Sequence, residues 1–392
     1  MNNDFFSTTT KPKIAYVVPG LDRGGCEMHL LSLLPELKKW FSVHIFILHH
    51  HSGALGPLFK EQGIGLTCLL SSNSDRYGKV RRWIQGTLCL RKHLSMGVDI
   101  LHAFLPSAYC SAGFACLLNK KVKHFLMSRR ALNFYSEHRY VLRKLEKFLH
   151  QRVCLALGNS SEVCRQLIEE GVPFQKVCKI FNGLPVRPYS LQKETTQLLE
   201  IQTVPLNWVK IAYVANFMAY KGHHDLIFVA KSLVSLECCN FCFLLAGRDC
   251  NKYVDCLKNE IKNQGLEAHF RFLGEISDST FLLQYADMGV FPSHEEGFSN
   301  SLLEKMAQGL AVVATDVGGN KDAIISGENG YLVPVGQTGV MAQHLALLIS
   351  DPVQRSNIGK SAQKTVDTLF TLKQCVNNYY TMYQNVLSFC RH

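Results

Sequence analysis

The densest group of residues able to do chemistry runs Val290-Phe291-Pro292-Ser293-His294-Glu295-Glu296-Gly297-Phe298-Ser299-Asn300-Ser301-Leu302-Leu303-Glu304. A strand ends at Ser293, and a glycine loop leads into a helix near Asn300. Unpaired backbone N–H groups and the helix dipole at such a start attract phosphate. Glu296 precedes the helix and Glu304 lies inside it, so one carboxylate sits at the loop and the other about a turn further on. Both could accept hydrogen bonds from hydroxyl-rich groups on either side of a bound pyrophosphate. The plainer alternative makes Ser299 or Asn300 an N-cap and Glu304 a surface helix residue. The strand, glycine turn and helix around the pair favour function over that alternative.

Other candidates lie in the first half. Gly24 and Gly25, after the first strand, allow close backbone approach to a phosphate, or form a structural turn only. His102 closes the strand Asp99-Ile100-Leu101-His102-Ala103-Phe104 and reads equally as a satisfied core histidine. Arg129 and Arg130 end another strand and are candidates to bind an anionic acceptor, or are solvated. One Cys-x-x-Cys, Cys239 and Cys242, lies in an apolar run, and no second pair follows at zinc spacing. No Asp-x-Asp and no His/Cys/Asp set has metal-ligand spacing, so no metal and no cofactor are expected.

These residues need a scaffold, and the hydrophobic pattern supplies one. In the first half, strands are expected at Lys13–Val18, Ser42–Leu48, Gly65–Leu70, Asp99–Phe104, His124–Ser128, Val153–Leu157 and Val177–Phe181. Helices are expected at Glu27–Lys38, Lys79–Met96, Arg139–His150 and Ser161–Glu170. Residues 184–207, with Pro185, Pro188 and Pro205, read as a linker. Strands then recur at Val209–Val214, Phe241–Ala246, His269–Leu273, Met288–Phe291, Ala311–Thr315 and Tyr331–Val333. Helices recur at Gly222–Leu236, Tyr253–Asn263, Thr280–Ala286, Asn300–Gln308 and Val340–Ile349, before a long aromatic-rich helix at Leu372–Phe389. The fold class is α/β, two doubly wound parallel sheets facing a cleft. The expected domains are 1–185, 205–370, and a terminal helix, 371–392, that returns to the first domain.

The 392 residues suit two domains, and 47% apolar content suffices for two cores. The 15 cysteines, an odd number scattered in apolar runs, fit buried thiols in a reducing compartment. Residues 1–190 hold 26 Lys+Arg against 12 Asp+Glu, a balance of +14, while the remainder holds 16 against 19, or −3. The basic half suggests an anionic membrane surface or an anionic acceptor. Nucleic acid is the weakest of the three polyanionic partners and is not expected, because no RNP-type aromatics, zinc spacing or helix-turn-helix accompany the charge. The helix around Arg139, Arg143, Lys144, Lys147 and Arg152, with Val141, Leu145, Phe148 and Leu149 opposite, packs on its own sheet or lies on a membrane. Lys79, Arg81, Arg82, Arg91 and Lys92 form a second basic helix. No apolar run reaches the ~18 residues of a span, and the start lacks the apolar run of a signal peptide. The expected location is cytoplasmic, with peripheral association on the inner membrane face.

The stretch Phe291 to Gly319 resembles the retaining glycosyltransferases of family 4, which have the GT-B fold. Glu296 and Glu304 match their Glu-x7-Glu motif. Ala307-Gln308-Gly309-Leu310 through Val317-Gly318-Gly319-Asn320 is similar to the strand and loop that follow it. Ile180-Phe181-Asn182-Gly183 and Gly20-Leu21-Asp22-Arg23-Gly24-Gly25 also resemble family segments. The resemblance implies a nucleotide-sugar donor, by default a UDP-sugar, and a saccharide or lipid-linked acceptor in polysaccharide, lipopolysaccharide or glycolipid biosynthesis. It places Glu296 beside the donor sugar and Glu304 on the ribose. Gly25 and the amides of Gly297, Phe298, Ser299, Asn300, Ser301 and Leu302 are carried over to the sugar and phosphates. Lys221 matches the family lysine that stabilises the leaving diphosphate, while Asn216 stands where the family usually has arginine. Arg248 is a candidate substitute for that arginine. The family often has His-x-His at this strand end, with the second histidine near the reacting sugar; Phe104 fills that slot here, and His102 is carried over as a catalytic candidate. A sugar-nucleotide epimerase of the same fold and a non-catalytic nucleotide-sugar-binding protein are the alternatives.

Overall fold

A computed structural model of the chain describes residues 11–71, 78–119, 121–132, 140–185, 195–249, 252–276 and 278–388. The chain forms two compact units, residues 1–183 with 372–392, and residues 184–371.

The first unit holds strands β1 (Lys13–Val18), β2 (Ser42–Ile47), β3 (Gly65–Cys68), β4 (Val98–Phe104), β5 (Val122–Arg129), β6 (Leu155–Gly158) and β7 (Val177–Lys179). Its helices are α1 (Gly25–Leu37), α2 (Gly56–Glu61), α3 (Lys79–Leu94), α4 (Pro106–Leu117), α5 (Tyr140–His150) and α6 (Ser161–Glu169). The strands pair in parallel in the order β3-β2-β1-β4-β5-β6-β7. Because side chains alternate across a strand, Ile14, Tyr16 and Val18 enter one core, and Ala15 and Val17 the other. The first core lies under α1, and the second under α4 and its neighbours. The direction of winding reverses between β1 and β4, which is where ligands of such sheets bind, outside the carboxyl ends of the strands.

The second unit holds α7 (Thr195–Gln202), β8 (Val209–Val214), α8 (Asp225–Ser235), β9 (Phe241–Ala246), α9 (Tyr253–Asn263), β10 (Phe270–Gly274), α10 (Ser279–Leu283) and β11 (Met288–Phe291). It continues with α11 (Asn300–Ala307), β12 (Ala311–Thr315), α12 (Asn320–Ala323), β13 (Tyr331–Val333), α13 (Thr338–Ser350) and α14 (Pro352–Leu369). Its parallel order is β10-β9-β8-β11-β12-β13, with the reversal between β8 and β11. The last helix, α15 (Leu372–Ser388), belongs to the first unit. It packs against α1 through buried Cys375, Val376, Tyr379, Met382 and Tyr383.

Some elements differ from the sequence reading. The run from Ala103 to Leu118, interrupted on paper by Pro106 and Gly113, is the end of β4 and all of α4. Pro106 occupies the first helical turn, where its missing N–H costs nothing. Gly113 lets Leu149 pack close to the helix, since a Cβ there would stand 2.6 Å from a Leu149 methyl and displace it. The expected linker contains α7, whose Ile201 joins the second unit's core with Val204 just beyond the helix. In the Cys-x-x-Cys pair, Cys242 is buried on β9 while Cys239 is exposed before it.

The two basic helices divide differently from expectation. On α5, Arg139 and the side chain of Val141 lie outside the described residues. Leu149 is buried in the core, and Phe148 lies under the Arg152 guanidinium, 3.7 Å from the ring centre. On α3, Val80, Ile84 and Leu88 stand exposed at four-residue spacing, with Arg81, Arg91 and Lys92 around them. Among the described residues, no helix is long and apolar enough to cross a membrane.

Candidate active site

The site of the second unit is built at its winding reversal, where β8 and β11 end side by side. After β8 the chain turns through Met218-Ala219-Tyr220-Lys221 to Gly222, whose φ of +71° suits glycine. A Cβ at Gly222 would stand 2.1 Å from the Pro292 carbonyl, so this glycine lets the two loops touch. His294 N–H donates to the Tyr220 carbonyl (2.8 Å). Tyr213, buried on β8, donates its hydroxyl to the Lys221 carbonyl (2.7 Å) and meets Ser293 Oγ at 3.1 Å. Burial holds that phenol well above its usual range.

These ties place the Lys221 ammonium on Glu296 Oε1 at 2.5 Å, with both side chains partly buried. The loop carrying Glu296 is supported from below by the one after β12. Gly319 N–H donates to Gly297 O (2.6 Å), and Gly318, at φ +50°, leaves no room for a side chain against Glu296 O. Thr315 Oγ1 donates to the Ser293 carbonyl (2.5 Å).

α11 follows at once. Ser299 caps it, accepting from Leu302 N–H at 3.4 Å. Ser301 Oγ donates to the Val214 carbonyl at 2.6 Å, which fastens the first turn of α11 to the end of β8. One turn on, Glu304 Oε2 accepts from Ser279 Oγ at 2.7 Å. The first-turn amides, the Lys221–Glu296 pair and Glu304 are thus on one continuous ledge of a single unit. Such a ledge offers donors to a diphosphate and acceptors to hydroxyl groups on each side of it.

Lys305 lies under the ledge and is completely buried. Its Nζ donates to Ser301 Oγ (2.8 Å) and Ser301 O (3.2 Å) and sits 5.3–5.5 Å from the centres of the Phe291 and Tyr213 rings. Gly289 makes room for its stem, since a Cβ there would lie 2.7 Å from Lys305 Cδ. Burial pulls the ammonium down to about 7, against the pull of Glu304 and Glu296.

Against this geometry, the known relatives can be placed. The family described as "Glycosyl transferases group 1" matches residues 196–365, and "Glycosyltransferase Family 4" matches residues 23–187. N-acetyl-alpha-D-glucosaminyl L-malate synthase of Bacillus anthracis is 28% identical over 292 residues, 74% of this chain and 75% of that protein. The N,N'-diacetylbacillosaminyl-diphospho-undecaprenol alpha-1,3-N-acetylgalactosaminyltransferase of Campylobacter jejuni is 30% identical over 224 residues, 55% of each chain. Among solved structures, HepE of Anabaena, in complex with UDP, superposes with a TM-score of 0.82 at 19% identity, over 95% of this chain and 100% of that one. This chain belongs to the family 4 glycosyltransferases. Its two parallel-sheet units are those of the GT-B fold.

Two residues of this glycosyltransferase's candidate set are tied together at the start of its second unit. Asn216, exposed after β8, accepts the Arg248 backbone N–H on its Oδ1 at 3.3 Å, while Arg248 carries an exposed side chain. In the first unit of the glycosyltransferase, the other residues fare unequally. Gly25 opens α1, and a Cβ there would meet nothing within 4 Å. His102 is fully buried, with Nδ1 on Tyr383 Oη (2.7 Å) and Nε2 on Ser128 Oγ (2.8 Å). Burial and the Arg130 charge lower the imidazole to about 3, so it stays neutral as a core histidine. Arg129 is buried in an ion pair with Glu170 and Glu146, and His150 joins Glu170 at 3.5 Å. That network buries the Arg129 guanidinium among carboxylates inside the unit. Arg130 donates to Asn182 Oδ1.

Sequence reasoning passed over Ser279, Tyr213 and Lys305. Ser301 and Lys305 are four residues apart and so share a helix face, the one signal that pointed to this contact.

Proposed function

We propose that this glycosyltransferase moves a hexosyl unit from a UDP-sugar to a hydroxyl of a saccharide or lipid-linked acceptor, with retention at the anomeric carbon. The Lys221–Glu296 pair beside the first turn of α11 is the observation that carries the reading. In it, the diphosphate lies on the α11 amides, and Lys221 leaves Glu296 to meet the charge that develops on the leaving phosphate. Glu296 then accepts from hydroxyls of the donor sugar, and Glu304, aimed by Ser279, accepts from the ribose. The acceptor hydroxyl attacks from the face the diphosphate leaves, giving its proton to a departing phosphate oxygen. No metal is needed in this reading, because an ammonium and backbone amides supply the positive charge. The malate and diphospho-undecaprenol acceptors in the names of the two relatives favour an acceptor that is itself anionic.

The test is transfer from radiolabelled UDP-sugars to a panel of acceptors. Glu296→Gln should lower kcat by about 100-fold or more with the fold intact, whereas Glu304→Ala should mainly raise the UDP dissociation constant, by about tenfold or more, the value of one charge-assisted hydrogen bond. Wild-type rates in both variants would refute the site. Interconversion of hexosamines by UDP-GlcNAc alone, without transfer, would identify an epimerase instead.

We further propose that α3 docks the enzyme on the inner face of an anionic membrane. The apolar row Val80, Ile84 and Leu88, flanked by arginines and lysine, has the composition of an interfacial helix. Ile84→Glu with Leu88→Glu should abolish sedimentation with phosphatidylglycerol vesicles and leave UDP binding unchanged. Equal sedimentation of variant and wild type would exclude α3.

A further inference from the structure

The first unit contains a cavity of about 170 Å3 at the carboxyl ends of β1, β2 and β3, under α3 and α4. Pro19, just after β1, and Leu48 and His49, just after β2, form one side. Arg82, Trp83 and Gly86 of α3, with Ser107 and Ser111 of α4, form the other. It therefore lies outside the carboxyl ends of the strands, where the doubly wound sheet opens to ligands.

Ser111 marks the cavity as a built site. Its side chain is 1% exposed and lines the cavity, yet among the described residues its Oγ has no hydrogen-bond partner. A helical serine ordinarily bonds the carbonyl one turn back, and a buried hydroxyl left unpaired is disfavoured, so this one calls for a partner from outside. Trp83 is held edge-on against Phe114, ring centres 5.6 Å apart, and so offers a fixed flat wall. Leu48, Leu70 and Pro19 complete an apolar lining, while Arg82 and His49 bring basic groups to the same space. A mostly apolar wall with a few convergent polar groups is the usual composition of a small-molecule pocket. The apolar face of a sugar ring suits the Trp83 wall, a ring hydroxyl suits Ser111, and a charged substituent suits Arg82.

We propose that this cavity binds one sugar ring that carries a negatively charged substituent, as the recognition end of the acceptor. The proposal rests on the glycosyltransferase reading above. Phosphate and carboxylate substituents share the required charge, and the test separates them.

Saturation-transfer NMR on the full chain, with UDP present in excess to occupy the second unit, would use glucose 1-phosphate, methyl glucuronide and neutral methyl glucoside. At least one charged sugar should bind and the neutral one should not. Gly86 faces Leu48 and Leu70, both 3.9 Å from a Cβ placed there, so Gly86→Leu extends into the cavity. That variant should weaken the charged sugar by about tenfold or more. Arg82→Gln should remove the preference for charge, and Ser111→Ala, which removes the hydroxyl without adding bulk, should weaken binding. UDP affinity should be unaltered in all three. Failure of every charged sugar to bind while UDP binds, or binding unchanged in Gly86→Leu and Arg82→Gln alike, would overturn the proposal. Failure of UDP itself to bind would instead strike the donor assignment.

Discussion

Lys305→Met is the sharpest test of the buried ledge. In the unfolded chain a lysine keeps its proton to about pH 10.4, whereas burial brings Lys305 to about 7 in the native protein. The difference is worth at most about 4–5 kcal/mol, set against the native state wherever both forms are protonated. Below pH 7 both states carry the charge and the penalty is complete. As pH rises from 7, the native state sheds the proton and the unfolded state keeps it, so wild-type stability climbs by up to about 1.4 kcal/mol per pH unit. Methionine fills a similar volume and has no such gain. The variant should therefore be the more stable protein at pH 6, and its advantage should shrink by about 2–3 kcal/mol by pH 9. Urea unfolding would be followed by Trp208, the one tryptophan of the second unit, in a Trp40→Phe, Trp83→Phe background. Parallel stability of the two proteins across this pH range would refute the reasoning, because it would mean Lys305 titrates as a solvated lysine does.

Two further expectations follow from the geometry. Arg129→Met removes the cation between buried Glu146 and half-buried Glu170, which should cost about 3 kcal/mol in the unfolding of the first unit; equal stability in calorimetry would show the ion pairs to be dispensable. Gly318→Ala drives a methyl against the Glu296 carbonyl at a positive φ, so it should destabilise the second unit by about 1–3 kcal/mol and raise the UDP dissociation constant, and an unchanged constant by titration calorimetry would count against the loop support described above.

Much of this was legible in the residues because parallel strands buried on both faces read as short apolar runs. Val209–Val214, Met288–Phe291 and Ala311–Thr315 were bounded to the residue. α14 was missed because its buried face consists of Ile358, Gly359, Ala362 and Val366, a stripe of mostly small residues with little apolar signal. Gly359 lies against the Gly309 carbonyl, an approach that only a residue without a side chain permits. In the site, Glu296, Glu304 and the α11 start were readable from spacing and turn chemistry. Lys305 was not, because a lysine next to a glutamate reads as solvated, and only the Gly289 gap on the preceding strand lets it fold inward. Arg129 misled for the converse reason, since its carboxylate partners are remote in sequence.

The place of α15 in the first unit has a consequence for biogenesis. Tyr379, Met382 and Tyr383 complete the interior that α1 and β1 begin, yet the whole second unit is encoded between them. During synthesis the second unit can close once its own residues have emerged, whereas the first waits, with an apolar groove uncovered, for residues 372–388. A chain truncated after residue 371 should therefore hold one finished lobe and one that chaperones still recognise.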